Sequence, residues 1–288
     1  MRDIETPKAK IRVYEGLAEM ASHARAPKLE VEKRLSYFQR DYDALADADR
    51  DAWAGATNAD ALAWCETGNL DGVEKADALL SRFETLAFAT HAKGWREDVS
   101  GAIPNVPAFI AGHPLNMRRR EKIENAAAPI TIFCDIFASC SYTGEQITKR
   151  GAAVLALVRI LSMRRPVELW LGGCAAHRSE NGKLVAPVVK IDTAPLDLAR
   201  AAYALTHPAF LRRVAFRCDY LLEGGAHVPP FKESLRAPLA PLLGDAETLI
   251  LPPLIGCNDG ENKLSWTNPE QWIIRQIEAL APEMLDAA

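Results

Sequence analysis

The sequence lacks the features that would assign it to a membrane or secreted class. No run approaches the roughly 18 apolar residues of a membrane helix, and no apolar signal core follows the charged N-terminus. The formal net charge is only -4 over 288 residues. This argues against a general nucleic-acid coat, because such proteins are usually basic. We therefore predict a cytoplasmic protein with no membrane partner.

Metal-binding and catalytic signatures are also missing. The 6 cysteines include no CxxC pair, and the 6 histidines show no HExxH spacing. Several cysteines lie inside apolar runs, as in Ile132-Phe-Cys134, so we interpret them as buried reduced thiols. There is no Walker loop, no dinucleotide fingerprint and no Gly-x-Ser-x-Gly elbow.

What the sequence does contain is enough apolar material for a real core, at 49% of all residues. Apolar residues at three- and four-residue spacings predict helices over 29–42 and 73–87. From Gly94 to Arg120, glycines and prolines interrupt any long element and leave a short apolar piece at Val106–Ala111. Residues 1–125 are therefore predicted to be a helical N-terminal region with a loop-rich connector.

Residues 126–288 alternate between apolar strands and helices. Pro129–Ile136 is a short β-branched run without alternation, as expected of a strand buried on both faces, and a helix is predicted over Gln146–Arg165. Further strands are predicted at 167–171, 184–191 and 248–251, and further helices at 195–205, 208–222 and 269–280. This order indicates an α/β domain with a mainly parallel sheet and helices on both faces. The Asn181-Gly182 turn suggests that one edge strand is antiparallel.

The strand that ends in Asp135 gives this region a family likeness. An apolar strand ending in Asp, then hydroxyl residues, a helix, a hairpin-joined strand pair and a Thr at the next helix entry resembles a von Willebrand factor A-like domain over about 129–280. The resemblance implies a Mg²⁺ or Mn²⁺ ion on the loop after the first strand. Its ligands would be Asp135, Ser139, Thr193 and Asp259, with Ser141 as a substitute at a different spacing. Phe137 stands where the family pattern has a further serine.

A plainer interpretation of the same loop needs no metal. Asp135 would cap the loop, and Ser139 and Ser141 would satisfy backbone N–H groups. A second candidate site is the basic segment with His113 and Arg118-Arg119-Arg120. It would bind an anion or a partner protein, or else form a solvated helix start. Lys149-Arg150 and Arg212-Arg213 would extend it if the fold brought them together.

Three functions follow from these features. The first is a non-catalytic protein-interaction or assembly module, an adaptor whose partners, by the resemblance, include AAA-type ATPases. The second is a nucleic-acid-associated protein that uses the local basic patch. The third is a hydrolase or transferase with Cys140, or a serine of the same loop, as nucleophile.

Overall fold

The computed structural model describes most of the chain. The described ranges are residues 1–25, 48–83, 95–100, 103–120, 129–139, 141–163, 165–177, 183–194, 196–223, 227–228, 235–244, 248–254 and 260–280. The predicted helix over 29–42 lies outside them.

The described strands belong to two sheets. In chain order they are β1 (Arg2–Glu5), β2 (Ala9–Tyr14), β3 (Trp95–Asp98), β4 (Ile103–Pro104), β5 (Met117–Arg120), β6 (Ile130–Asp135), β7 (Val167–Gly172), β8 (Ala175–His177), β9 (Leu184–Ile191), β10 (His227–Val228) and β11 (Thr248–Leu251).

The large sheet is mixed and mostly parallel. Its six-strand path runs β1-β2-β9-β7-β6-β11, and β8 and β10 extend it beside β9. The pairs β6–β7, β6–β11 and β2–β9 are parallel, whereas β7–β9 and β1–β2 are antiparallel. The predicted α/β class and mainly parallel sheet are thus confirmed. β9 is antiparallel to β7 as expected, but it is an interior strand because β2 pairs with its other edge.

The strand β2 corrects the sequence interpretation. Residues 2–14 were assigned to a helical region, yet they form β1 and β2. The sequence does contain a strand pattern here. Ala9, Ile11 and Val13 alternate with Lys10 and Arg12 at the two-residue period of a strand. All three apolar residues are buried in the core on one face of the large sheet. The predicted domain boundary near residue 125 falls outside the described residues and stays a prediction.

The described α-helices, in chain order, are α1 (Leu17–Ala24), α2 (Ala48–Ala54), α3 (Asn58–Thr67), α4 (Val73–Arg82), α5 (Val106–Ile110), α6 (Gly144–Ser162), α7 (Leu198–Thr206), α8 (Phe216–Glu223), α9 (Arg236–Leu243), α10 (Gly260–Thr267) and α11 (Pro269–Leu280). A π-helical segment, Phe210–Ala215, leads into α8.

Helices cover the two faces of the sheet unequally. Ile130, Ile132 and Cys134 of β6 face a large core that contains α1, α3, α4, α6, α7, α8 and α11. Phe133 faces the other core, where Leu239 and Leu243 of α9 pack. β6 thus contributes alternate residues to two cores, which is why its sequence shows no polar alternation.

The helix α6 is the centre of the larger core. Thr143 caps its N-terminus, and Thr143 and Gln146 form a reciprocal capping box that starts the helix two residues before the predicted point. At Gly151 an added Cβ would lie only 2.0 Å from the carbonyl oxygen of Leu205, so only glycine permits this approach of α7. This contact therefore sets the distance between α6 and α7.

Two further predictions can be compared with the described residues. Cys65, Cys134, Cys174 and Cys218 are buried free thiols, as predicted; Cys140 and Cys257 lie outside the described residues. Within those residues, every helix is too short or too polar to cross a bilayer.

Candidate functional site

Asp135 is the last residue of β6 and is completely buried, with 0% of its surface exposed. Its Oδ1 accepts hydrogen bonds from the backbone N–H groups of Phe137, at 3.0 Å, and Cys174, at 3.4 Å. Among the described residues, Oδ2 has no hydrogen-bond partner. The carboxyl group therefore joins the loop after β6 to the connection between β7 and β8.

This environment favours the protonated acid. Burial raises the pKa of Asp135 to about 7, because a carboxylate loses its hydration in the protein interior. The two backbone N–H groups and the charge of Arg150 oppose this rise but do not cancel it. The carboxyl group therefore titrates near neutral pH.

Phe137 closes the position next to Asp135. Its ring packs edge-to-face on Phe216, with ring centroids 5.0 Å apart. It also lies so close to Gly173 that an added Cβ there would be 2.1 Å from a ring carbon. An apolar ring thus occupies the place where the resemblance implied a hydroxyl ligand.

The loop serines satisfy each other and the backbone. The hydroxyl of Ser141 donates to Oγ of Ser139 at 3.2 Å, and the N–H of Ser139 donates to the carbonyl of Leu254 at 2.8 Å. The Oγ of Ser139 also accepts the backbone N–H of Ser141 at 3.5 Å, which is the kind of contact that the plainer interpretation gave Ser139. Cys140, the nucleophile of the enzyme hypothesis, lies outside the described residues.

Thr193 lies at the other end of the sheet. Its hydroxyl donates to the carbonyl of Val167, which pairs with Ile130 at the start of β6, five residues before Asp135. At about 3.3 Å per strand residue, the two sites are roughly 17 Å apart. Thr193 cannot share an ion with Asp135, because β9 runs antiparallel to β7 and ends at the opposite edge.

The described residues do not fit the divalent ion that the resemblance implied. Mg²⁺ and Mn²⁺ need several converging oxygen ligands, but the side chain of Phe137 has no oxygen and Thr193 is remote. Within the described ranges, no three His, Cys, Asp or Glu residues are grouped as metal ligands. Asp259, the fourth predicted ligand, lies outside those ranges.

Buried arginines bind the backbone of this loop and of the strand beside it. Arg150 donates to the carbonyls of Asp135, at 3.1 Å, and Pro252, at 2.7 Å, and so ties the ends of β6 and β11 together. Arg212 donates to the carbonyl of Tyr142 at 2.8 Å. Both arginines are buried, so they do not extend a basic surface as the sequence suggested. In the sequence, only the position of these arginines among the apolar residues of predicted helices indicated that they would be buried.

The second candidate site is the small sheet of β3, β4 and β5. Arg118, Arg119 and Arg120 form β5, the central strand, rather than the start of a helix. In the register of the small sheet, Arg118 pairs with Glu97 of β3 and Arg119 pairs with Arg96.

His113 helps to form the turn before β5. Its Nδ1 accepts the N–H of Leu115 at 3.2 Å, and its carbonyl accepts the side-chain amide of Asn116 at 3.0 Å. The turn is completed by the N–H of Asn105, which donates to the carbonyl of Asn116 at 2.8 Å. One ring nitrogen of the predicted anion ligand is thus used inside the turn.

One end of the small sheet exposes a cluster of apolar residues that the sequence had indicated only as a short apolar piece. Asp98 and Pro104 both pair with Met117, so the turn after β3, the helix α5 and the turn before β5 lie at the same end. Five of the ten exposed large apolar residues of the described chain are found there. They form the tip cluster: Val99, Val106, Phe109, Ile110 and Leu115.

Comparison with known proteins identifies a family but no activity. The model of the family described as Domain of unknown function (DUF7192) matches residues 2–228, which include both β2 and the small sheet. Searches of curated proteins and of solved structures find no significant match. Because the matched segment covers most of the chain, this protein belongs to the DUF7192 family.

Proposed function

We propose that the protein is a non-catalytic protein-binding module and that the tip cluster is its binding surface. The observation that carries the proposal is the concentration of exposed apolar residues at one end of the small sheet. Phe109 is 68% exposed and Ile110 is 79% exposed. Isolated exposed apolar residues are common, whereas a contiguous group is typical of an interaction site.

The geometry of α5 strengthens this proposal. Val106, Phe109 and Ile110 are spaced at i, i+3 and i+4, which places them on one side of a helical turn. None of the residues of α5 is buried, so the helix contributes nothing to either core of the large sheet. Asn105 caps this helix and also donates to Glu97 of β3 at 2.7 Å, which ties the turn to the small sheet. The apolar side chains are thus displayed on a defined local framework.

The loop after β6 is a less suitable binding surface than we expected from sequence. Asp135 and Phe137 are buried, and Thr193 lies at the opposite edge. The von Willebrand A-like interpretation rests on the order of elements predicted from the sequence and stays a proposal. An AAA-type ATPase remains a predicted partner class that rests on this resemblance.

Site-specific photocrosslinking of the full chain tests the proposal. A photoreactive phenylalanine analogue would replace Phe109 in cells that normally contain the protein, with the same analogue at Leu70 as control. Leu70 is 60% exposed but lies outside the small sheet. We expect a discrete protein to be crosslinked from position 109 and not from position 70.

Affinity measured with the purified crosslinked protein completes the test. The variant F109S/I110S should weaken binding at least about tenfold, because buried apolar anchors usually dominate an interface. The matched control is L70S/I274S, which also removes two exposed apolar side chains and should bind normally. Identical crosslinks at both positions, or equal affinities of the two variants, would refute the proposed function.

A further inference from the structure

His23, in the last turn of α1, contacts two polar side chains of β2. Its Nδ1 lies 2.6 Å from the hydroxyl oxygen of Tyr14, and its Nε2 lies 3.4 Å from Nη1 of Arg12. Tyr14 is fully buried in the larger core, whereas His23 and Arg12 are half-buried. The imidazole ring therefore joins α1 to β2 at the margin of that core.

These two contacts indicate which ring nitrogen of His23 carries the proton. A guanidinium group has no acceptor atom and keeps its charge, so Arg12 can only donate and Nε2 of His23 must accept. Neutral histidine has one donor and one acceptor nitrogen, which leaves the proton on Nδ1, where it is donated to the hydroxyl oxygen of Tyr14. The opposite tautomer would direct an N–H group at the guanidinium group. The contacts therefore fit the neutral Nδ1–H form of His23.

Arg12 is held beside His23 by an ion pair with β1. Its Nε and Nη2 donate to the two carboxylate oxygens of Asp3, each at 2.7 Å. Such a bidentate pair fixes the direction of the guanidinium group. The hydrogen bonds from Arg12 also lower the pKa of Asp3, so the pair persists at the pH at which a histidine titrates. The side chains of Asp3, Arg12, His23 and Tyr14 thus link β1, β2 and α1.

The charged groups that act on His23 are two arginines and two carboxylates. They are Arg12 of β2, Arg217 of α8, Asp3 of β1 and Glu19 of α1. Asp3 already binds Arg12, and Glu19 accepts from the Met1 ammonium group and from the N–H of Glu15. Both carboxylates are therefore bonded to other donors. Burial and the charge of Arg12 together lower the pKa of His23, which keeps the ring neutral at neutral pH.

The other elements that contact α1 add no charge that would favour a charged His23. Burial raises the pKa of Cys65 in α3 and of Cys218 in α8 to about 12, so both thiols stay neutral. Burial also raises the pKa of Tyr14. Glu66 of α3 pairs with Arg25 at 2.8 Å. The charged residues of β9 and the π-helical segment have partners of their own: Lys190 binds Glu168, Arg212 binds the carbonyl of Tyr142, and Arg213 binds Asp51.

We propose that His23 is a pH-sensitive contact, which holds α1 against the hairpin of β1 and β2 when it is neutral and loosens that packing when it is charged. A second ring proton would occupy Nε2, where it removes the acceptor for Arg12 and places a positive charge beside a permanent one. The two cations then separate, and α1 opens locally from β2. The contact does not involve the tip cluster, so this inference is independent of the proposed function.

Nitrogen-15 NMR of the histidine side chains in the full chain tests the tautomer at about pH 7.5, where histidine is ordinarily neutral. The spectrum of His23→Gln identifies the two signals of His23 by their loss. We expect Nδ1 to be the protonated nitrogen and Nε2 the unprotonated one. The reverse assignment would overturn the inference at its first step.

Hydrogen exchange followed by mass spectrometry tests the loosening. It compares about pH 7.5 with about pH 5.5, after correction for the intrinsic pH dependence of exchange. Protection of residues 1–25 in the wild type should fall by up to about tenfold, because the opened His23 binds a proton over the one pH unit below its ordinary pKa of 6.5. His23→Gln should keep its protection, since the glutamine amide has a donor and an acceptor but does not titrate. The matched control is His113→Gln, which replaces an exposed histidine of the small sheet and should behave as the wild type.

Arg12→Gln is a second variant that does not alter His23 itself. Its amide can donate to the neutral ring and accept from the charged ring, so the pH-dependent loss of protection should shrink to less than about twofold. Equal losses in residues 1–25 of the wild type and His23→Gln would overturn the inference, because another group would then cause them. Undiminished protection of the wild type at about pH 5.5 would also overturn it, since the charged ring would then keep its contacts.

Discussion

Replacing Asp135 with asparagine should change how the stability of the protein depends on pH. The unfolded carboxyl group has a pKa near 3.8, and burial raises its pKa to about 7 in the folded protein. Between these two values the folded protein binds more protons than the unfolded chain. The free energy of unfolding therefore falls as pH rises, and the stability that the protonated acid provides is lost by about pH 7. The side-chain amide of the Asp135→Asn variant does not titrate, so this variant should lack the pH-dependent component.

The expected size of the effect follows from the pKa. Between about pH 5 and about pH 8.5, Asp135 changes the free energy of unfolding only over the two pH units below its folded pKa. Each unit corresponds to about 1.4 kcal/mol, so the wild type should lose about 2.8 kcal/mol relative to the variant. In Asp135→Asn the amide oxygen can still accept from the N–H groups of Phe137 and Cys174, which keeps the loop bonded.

Urea unfolding of both proteins at the two pH values measures this difference. Other titrating groups cancel, because they are common to the wild type and the variant. The control is Asp197→Asn at the N-cap of α7, where asparagine caps as well as aspartate. Addition of Mg²⁺ or Mn²⁺ should leave the melting temperature of the wild type unchanged.

Parallel pH dependence of the wild type and the Asp135→Asn variant would refute this reasoning. It would mean that the carboxyl group keeps one charge state over the whole range. Stabilisation of the wild type alone by Mg²⁺, lost in the variant, would instead restore the metal interpretation of this loop.

Three further predictions concern stability. Gly151→Ala should destabilise the protein by at least about 1–3 kcal/mol in urea unfolding, because the added methyl group overlaps the α7 backbone, whereas Gly260→Ala has open space and should be tolerated. Thr143→Ala should cost about 1 kcal/mol through loss of the α6 cap, with Thr143→Ser as the matched rescue. Burial lowers the pKa of His23, and the nearby Arg12 charge lowers it further. The wild type should therefore lose more stability than His23→Gln as pH falls below about 6.5 in thermal denaturation.

Local sequence patterns predicted the α/β core because each pattern is a direct consequence of burial. The strands Leu184–Ile191 and Thr248–Leu251 were predicted with the bounds that the structure shows. The helix predicted at 146–165 lies at 144–162. β1 and β2 were missed, although the alternation in β2 was legible, because the neighbouring N-terminal segments carried helical patterns.

The candidate sites were harder to predict because they depend on which strand ends lie next to each other in the sheet. Asp135 and Ser139 are close in the sequence, so the sequence by itself placed them at the end of one strand and in the loop that follows. The position of Thr193 depends on the direction of β9, and no local pattern reports which edge of the sheet that strand reaches.

The sequence alone thus determined that residues of β6 and α6 form a buried strand and a buried helix, because a continuous apolar run has no other stable environment in water. Only the tertiary structure decided what the polar residues beside them do. It buried Asp135, separated it from Thr193, and placed Arg118, Arg119 and Arg120 in the central strand of a small sheet. The physical reason is that burial depends on composition along the chain, whereas the charge and exposure of a site depend on strand pairing between distant residues.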